Sequence, residues 1–423
     1  MKFNRGKKYS YYSSYSPSKR KRVRWDRVAI IGVVVALVIG LLVWFNLGRI
    51  KLMMKGYSFS QQNTVLSLSS TDLNEILSHD KMDYIENWIE NSKKVSYYDE
   101  YEQYYTIHKD EEIETIVNEV DDIFDNYVPK LKTLNYSNVQ VWKVLKTADT
   151  DDLQYLIEKQ YSYSQIEPYM QVQGFAFQQL EQYMKVYEEK KSYNYAVLAT
   201  AYPFIISANA SSSDQSYTIQ DPENILTLVK KGFLFSSDYE PTDLVKPSEI
   251  PVAPDCDNAT MRKEAADALT EMYKAAKQEG YSLIINSTYR SYATQQATYK
   301  EYFSKYDAKT AASLVAAPGA SEHQSGLGVD LTCQSVLDDK KNGITNSKFG
   351  YKPDYKWCLA NSYKYGFILR FEEDKADITG IGNEPWHFRY VGKQAAKEIF
   401  NNGWTLEEYC LYKGAIPKLK ANS

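Results

Sequence analysis

Four side chains in the last third of the sequence have the types and spacing of a hydrolytic metal site. His323 and Asp330 lie in SEHQSGLGVDLT, residues 321–332, and Glu384 and His387 lie in NEPWHFRYVG, residues 383–392. The whole chain holds only four histidines, and two of them fall in these short stretches. Two histidines and a carboxylate are a frequent zinc set in hydrolases, because three protein ligands leave a fourth position for water. Amide hydrolysis at neutral pH needs a nucleophile stronger than water. Zinc lowers the pKa of bound water from about 15.7 toward ~7, and a nearby glutamate can take its proton and return it to the leaving amine.

The elements around these residues must bring them together. His323 and Asp330 are seven apart, an odd offset that puts them on opposite faces of one regular strand. Gly326 and Gly328 permit a bend between them. The expected arrangement is therefore a strand over Val329, Asp330 and Leu331, with His323 on a loop folding back toward it. Pro385 disfavours helix at Glu384, so an extended turn is expected to aim Glu384 and His387 at one point. Trp386 is expected to pack behind His387.

Taken in order, these segments resemble the two signature motifs of the VanY-type D-alanyl-D-alanine carboxypeptidases, S-x-H-x-x-G-x-A-x-D and then E-x-W-H. STYRSYATQ at 287–295 is similar to the family's Tyr-Arg-Ser stretch, and LVKKGFLFSSDYEPTDLV at 228–245 to its lead-in. The resemblance covers roughly residues 222–413, just under half of the chain. It implies that His323, Asp330 and His387 bind Zn2+, that Glu384 is the general base, and that Arg290 polarises the scissile carbonyl. Ser321 and Gln295 match positions near the substrate. The family usually has Ala where this chain has Gly328, which reads as slack beside the site. The implied activity is removal of the terminal D-Ala from peptidoglycan stem peptides. Two alternatives remain: an L,D-carboxypeptidase acting on tetrapeptide stems, and a non-catalytic cell-wall-binding module.

The rest of the sequence says where such a site would work. Residues 1–55 hold thirteen Lys or Arg and one acid, about +12, which leaves about −16 for the remainder of a chain of net charge −4. That separation argues against nucleic acid as a partner and for two parts in different surroundings. Between them, Val28–Gly48 has no charged residue and is long enough to cross ~30 Å of hydrocarbon. Ten Lys or Arg precede this segment, so the positive-inside rule keeps the N-terminus cytoplasmic and sends the rest across. The expected organisation is a disordered basic tail at 1–27, a transmembrane anchor at 28–48, a mainly helical extracytoplasmic stalk at 49–220 and a VanY-like domain at 221–415.

The expected fold class is α+β, with a small antiparallel sheet flanked by helices in the C-terminal domain. Within the stalk, NEILSHDKMDYIENWIE resembles WKVLKTADTDDLQYLIE some 68 or 69 residues later, a possible two-copy repeat that matches Tyr101 to Tyr169. Its abundant tyrosines could stack on wall sugars or, the simpler reading, fill helix interfaces. His79 and His108 lie there without partners at ligand spacing and read as surface histidines. Cys256, Cys333, Cys358 and Cys410 all lie beyond the anchor, where disulfides persist. Cys333 with Cys358 and Cys256 with Cys410 is the preferred pairing, against buried free thiols.

Overall fold

A computed structural model describes residues 24–207, 216–256, 258–340 and 346–422. Most of the expected basic tail lies outside the described residues. Trp25–Phe45 forms one helix with every side chain exposed. It is long and apolar enough to span a membrane. The expected segment ran to Gly48, but the helix stops earlier because Asn46 leaves helical geometry and turns its side-chain amide back on the Leu42 carbonyl at 2.8 Å.

The chain then forms two compact units that divide between Leu131 and Lys132. In both, short helices follow one local pattern. Ser58 caps the helix Phe59–Leu66 in a reciprocal box with Gln61, and Ser137 caps Asn138–Leu145 with Gln140. Each box satisfies two otherwise orphaned N–H groups. Ser69 and Asp149 cap the next helices by accepting from the amides of Asp72 and Asp152. The buried Tyr57 hydroxyl accepts from the Met82 amide, and the Tyr136 hydroxyl donates to the Tyr161 carbonyl, each reaching 25 residues along the chain. These correspondences run at an offset of 79 to 80 residues. The 68–69 offset paired different helices of the two segments, because amphipathic spacing alone does not fix register.

The tyrosines pack. Tyr98, Tyr101, Tyr104, Tyr163 and Tyr169 are buried. The Tyr98 hydroxyl donates to the Ser92 carbonyl and that of Tyr101 to Asp121, which removes the cost of burying them. His79 lies 3.4 Å from both Glu75 and Asp99, and His108 lies 3.3 Å from Glu111; Glu75 and Glu111 stand at one-turn spacing that the sequence reading overlooked, and only Asp99 is brought in by packing.

The C-terminal region is built on a four-stranded antiparallel sheet. We name its strands β1 (Leu283–Ser287), β2 (Gly328–Cys333), β3 (Phe367–Leu369) and β4 (His387–Tyr390); their spatial order is β1-β2-β4-β3. Strands β2 and β4 are buried along their whole length. The helix Lys263–Gln278 packs its alanines, Leu269 and Met272 into the same core as Ile285, Val329, Leu331 and Phe388. Gly280, at φ +88°, lets the chain turn out of this helix. A second core joins Tyr195, Leu198, Tyr202, Phe204 and Ile205 to Leu228, Phe233, Val391 and Leu411. The last helices of the expected stalk thus share a core with the C-terminal region. Tyr217–Ile219 pairs with Leu419–Ala421, so the sheet that clasps this region extends past both ends of 221–415. Cys333, Cys358 and Cys410 are buried free thiols, which rules out both expected pairings. Burial pushes the Cys358 thiol up and that of Cys410 to about 12, which keeps both protonated and inert.

Candidate metal and substrate site

Strand register brings the first two ligand candidates together. Asp330 on β2 stands directly opposite His387 on β4. Side chains opposite each other on one sheet face have Cβ atoms about 4.5–5.5 Å apart. The His387 Nδ1 lies 2.9 Å from Asp330 Oδ1. His323 arrives from a different element. Glu322–Ser325 is a single 3₁₀ turn ended by Gly326 at φ +68°, and a Cβ at Gly326 would lie 2.9 Å from Leu244. The left-handed φ, with the Arg262 backbone nitrogen 3.2 Å from that Cβ, favours glycine here, and the turn delivers His323 Nε2 to 3.5 Å from Asp330 Oδ1. One ligand atom each from His323, Asp330 and His387 lies within 4.8 Å of the others, all from buried residues.

The outer ring nitrogens are also engaged. His323 Nδ1 lies 2.6 Å from the Thr288 carbonyl and so donates to it. His387 Nε2 lies 3.4 Å from Glu322 Oε2. Each imidazole thus turns one nitrogen outward to an acceptor and one inward to the cluster, the arrangement that fixes tautomer and ring direction in metal-binding histidines. Two imidazole nitrogens and a carboxylate oxygen converging this way fit a zinc ion. Burial favours the neutral His387 ring, but its bonds to Asp330 and Glu322 outweigh that and raise its pKa to about 9. Burial lowers the pKa of His323, against the pull of Asp330. Asp330 is held well below the usual carboxylate range, because both histidines outweigh its burial.

Glu384 sits one turn before His387, whose amide donates to the Glu384 carbonyl at 3.0 Å. Its own amide is fixed on the Phe371 carbonyl at 3.1 Å. Burial pushes its carboxyl up to about 7, with His387 opposing and Asp330 adding to the shift. Arg290 follows β1. Its amide donates to the His323 carbonyl at 3.2 Å, and its guanidinium donates to Gln295 Oε1 at 2.8 Å and to Ser287 Oγ at 3.4 Å. Arg290, His323, Asp330, Glu384 and His387 line one cavity of about 820 Å³. Ser321 and Gln295 line it too. Gln295 is buried and holds protein at both ends of its amide, because its nitrogen donates to the Ala316 carbonyl at 2.7 Å. Trp386 also faces the cavity while packing on the core beside β4.

Gly328 is not slack. A Cβ there would stand 3.2 Å from Cε1 of His387, so the family's usual alanine would press directly on this ring.

A buried chain of charges behind His387 escaped the sequence reading. Arg370 donates to Glu322 at 2.8 Å and, through both terminal nitrogens, to Glu407 at 2.8 and 2.9 Å. Arg389 lies 3.1 Å from the same Glu322 oxygen. Lys230 donates to the carbonyls of Ile205 and Ile378 at 2.9 and 2.8 Å and lies 3.4 Å from Glu407. All five charged side chains are buried. Burial alone would raise the pKa of Glu322, but Arg370 and Arg389 hold it ionised. The available signal was the presence of charges inside apolar runs, Arg370 in FILRF and Arg389 in HFRYV.

Residues 258–393 match the family model described as VanY, D-alanyl-D-alanine carboxypeptidase. The chain is 48% identical over 194 residues to YodJ of Bacillus subtilis (strain 168), named as a carboxypeptidase, which covers 45% of this chain and 69% of that protein. It is 33% identical over 187 residues to the bifunctional D-Ala-D-Ala dipeptidase and D-Ala-D-Ala carboxypeptidase VanXYC of Enterococcus gallinarum, covering 44% of this chain and 93% of the relative. Among solved structures, the LdcB LD-carboxypeptidase matches at 46% identity over 46% of this chain and 89% of that one, with a TM-score of 0.42.

Proposed function

Because the chain belongs to the VanY family of D-alanyl-D-alanine carboxypeptidases, we propose that it is a membrane-anchored zinc enzyme that removes the terminal D-Ala from peptidoglycan stem peptides. The observation that carries this reading is the convergence of His323, Asp330 and His387 in one cavity with Glu384 and Arg290. The two histidines and the aspartate would hold the ion. When bound, zinc supplies an acidified water and an electrophilic contact for the scissile carbonyl. Glu384 takes the water's proton and passes it to the leaving D-alanine amine, so the C–N bond breaks with the amine neutral. Arg290, braced by Gln295, meets the negative charge that grows on the carbonyl oxygen. Ser321, which lines the same cavity, would lie near the substrate. The apolar helix Trp25–Phe45 would anchor the chain, with the basic N-terminus in the cytoplasm and the site outside.

The same machinery would serve a tetrapeptide stem, since the difference lies in contacts to the departing residue. Mass spectrometry of pentapeptide and tetrapeptide stems after incubation with the full-length chain separates the two. Loss of one alanine from the pentapeptide, with the tetrapeptide left intact, is expected. Trimming of the tetrapeptide alone would contradict the D,D assignment, and inertness toward both would contradict catalysis.

A further inference from the structure

The helix Tyr292–Lys305 forms one wall of the catalytic cavity. Gln295, Thr298, Tyr299 and Tyr302 all line it, and their spacing of three and four places them on one helical face. Gln295 marks the inner end through its bond to Arg290. The aromatic face continues past the rim. The ring of Phe303 lies 4.3 Å from that of Tyr299, and the ring of Tyr306 lies 5.8 Å from that of Tyr302. Phe303 is 36% exposed and Tyr306 47% exposed. Gln295 is the one buried side chain of this helix, so the outer two rings serve no core.

Length says what meets them. A helix rises about 1.5 Å per residue, which puts Tyr302 about 10 Å and Tyr306 about 16 Å along the axis from Gln295. Four residues of a pentapeptide stem separate the scissile bond from the sugar. Extended chain spans about 3.3–3.6 Å per residue, so four residues reach about 13–14 Å. A stem held at Arg290 and laid extended along this wall would put its sugar end near Tyr302 and Tyr306. A pyranose offers a C–H face to the negative face of an aromatic ring and hydroxyls to water, the amphipathic match that half-exposed tyrosines favour.

We infer that the stripe Tyr299, Tyr302, Phe303 and Tyr306 is a stacking platform for the amino sugar that carries the stem peptide. The inference rests on the stem-peptide reading above and extends the same substrate beyond its peptide.

The test compares two substrates, free pentapeptide and disaccharide-pentapeptide, with the full-length chain in detergent. Wild type is expected to favour the disaccharide substrate by about tenfold in kcat/KM, mostly through KM, as for loss of one aromatic anchor. Phe303→Ala and Tyr306→Ala, both at exposed positions, should remove that preference and leave turnover of free pentapeptide unchanged. Equal kcat/KM for the two substrates in wild type overturns the platform while leaving the peptide reading intact, and so does an equal loss on both substrates in the variants. Self-association that the variants abolish without changing substrate preference would make this face a contact between copies and overturn the platform as well. Failure of wild type to cleave free pentapeptide would overturn the peptide reading and the platform with it.

Discussion

As the proposed base, Glu384 would meet the most exacting chemical demand in the site, because a base must be ionised to take a proton and basic enough to want one. Burial raises its pKa to about 7, where both conditions hold at neutral pH. The protonated form cannot act as base, so kcat/KM should fall as pH drops through the carboxyl's pKa. A bound divalent ion draws that midpoint downward. The pH profile should therefore show an acid limb centred at or somewhat below neutrality, and a limb well above it would contradict the role. Arg290→Met should lower kcat by about 10²–10³, the usual cost of one oxyanion donor, with zinc content unchanged. A loss confined to KM would make Arg290 a binding residue only.

At the scale of elements, the site depends on strands and turns that place a few side chains, and on a buried charge chain that holds them. Glu407 lies on the helix Leu406–Lys413, 37 residues along the chain from Arg370, and Glu322 lies 48 residues from it. Glu407→Gln leaves Arg370 and Lys230 buried with their shared partner weakened. Breaking a buried ion pair costs about 3–5 kcal/mol, which urea denaturation would measure. Glu407 is held below the usual carboxylate range, as Arg370 and Lys230 outweigh its burial. Its contribution to stability is therefore present above the ordinary carboxylate pKa and lost as pH falls through the lower folded value. Wild type should lose stability on acidification more steeply than Glu407→Gln. The four residues in the two short motifs were legible because a turn or one strand pairing was enough to join them. The charge chain was not, because its five members lie on five separate segments and meet only through tertiary packing. The matching features of the two helical segments, a capping box and a tyrosine bond reaching 25 residues along the chain in each, were not legible in apolar spacing.

For the whole molecule, the helices between Lys132 and Ile205 are part of the catalytic body rather than a detached spacer. Tyr195, Leu198, Tyr202, Phe204 and Ile205 sit in one core with residues of the peptidase region, and the Ile205 carbonyl holds Lys230. Each such buried apolar side chain contributes about 1.5–3 kcal/mol. A fragment beginning at Ser216 should melt well below one beginning at Lys132 in thermal denaturation, and equal melting temperatures would contradict the shared core. If the apolar helix Trp25–Phe45 anchors the chain as proposed, the full chain sediments with membranes, and a protease added outside intact cells reaches the peptidase region.

The most direct measurement follows D-Ala release and zinc content together, in wild-type chain, in chelated chain and in Glu384→Ala. Wild type should carry about one zinc per chain, lose activity with the chelator and regain it when zinc returns; Glu384→Ala should keep its zinc and release no D-Ala. Release that survives either zinc removal or the loss of Glu384 would contradict metal-assisted hydrolysis at His323, Asp330 and His387.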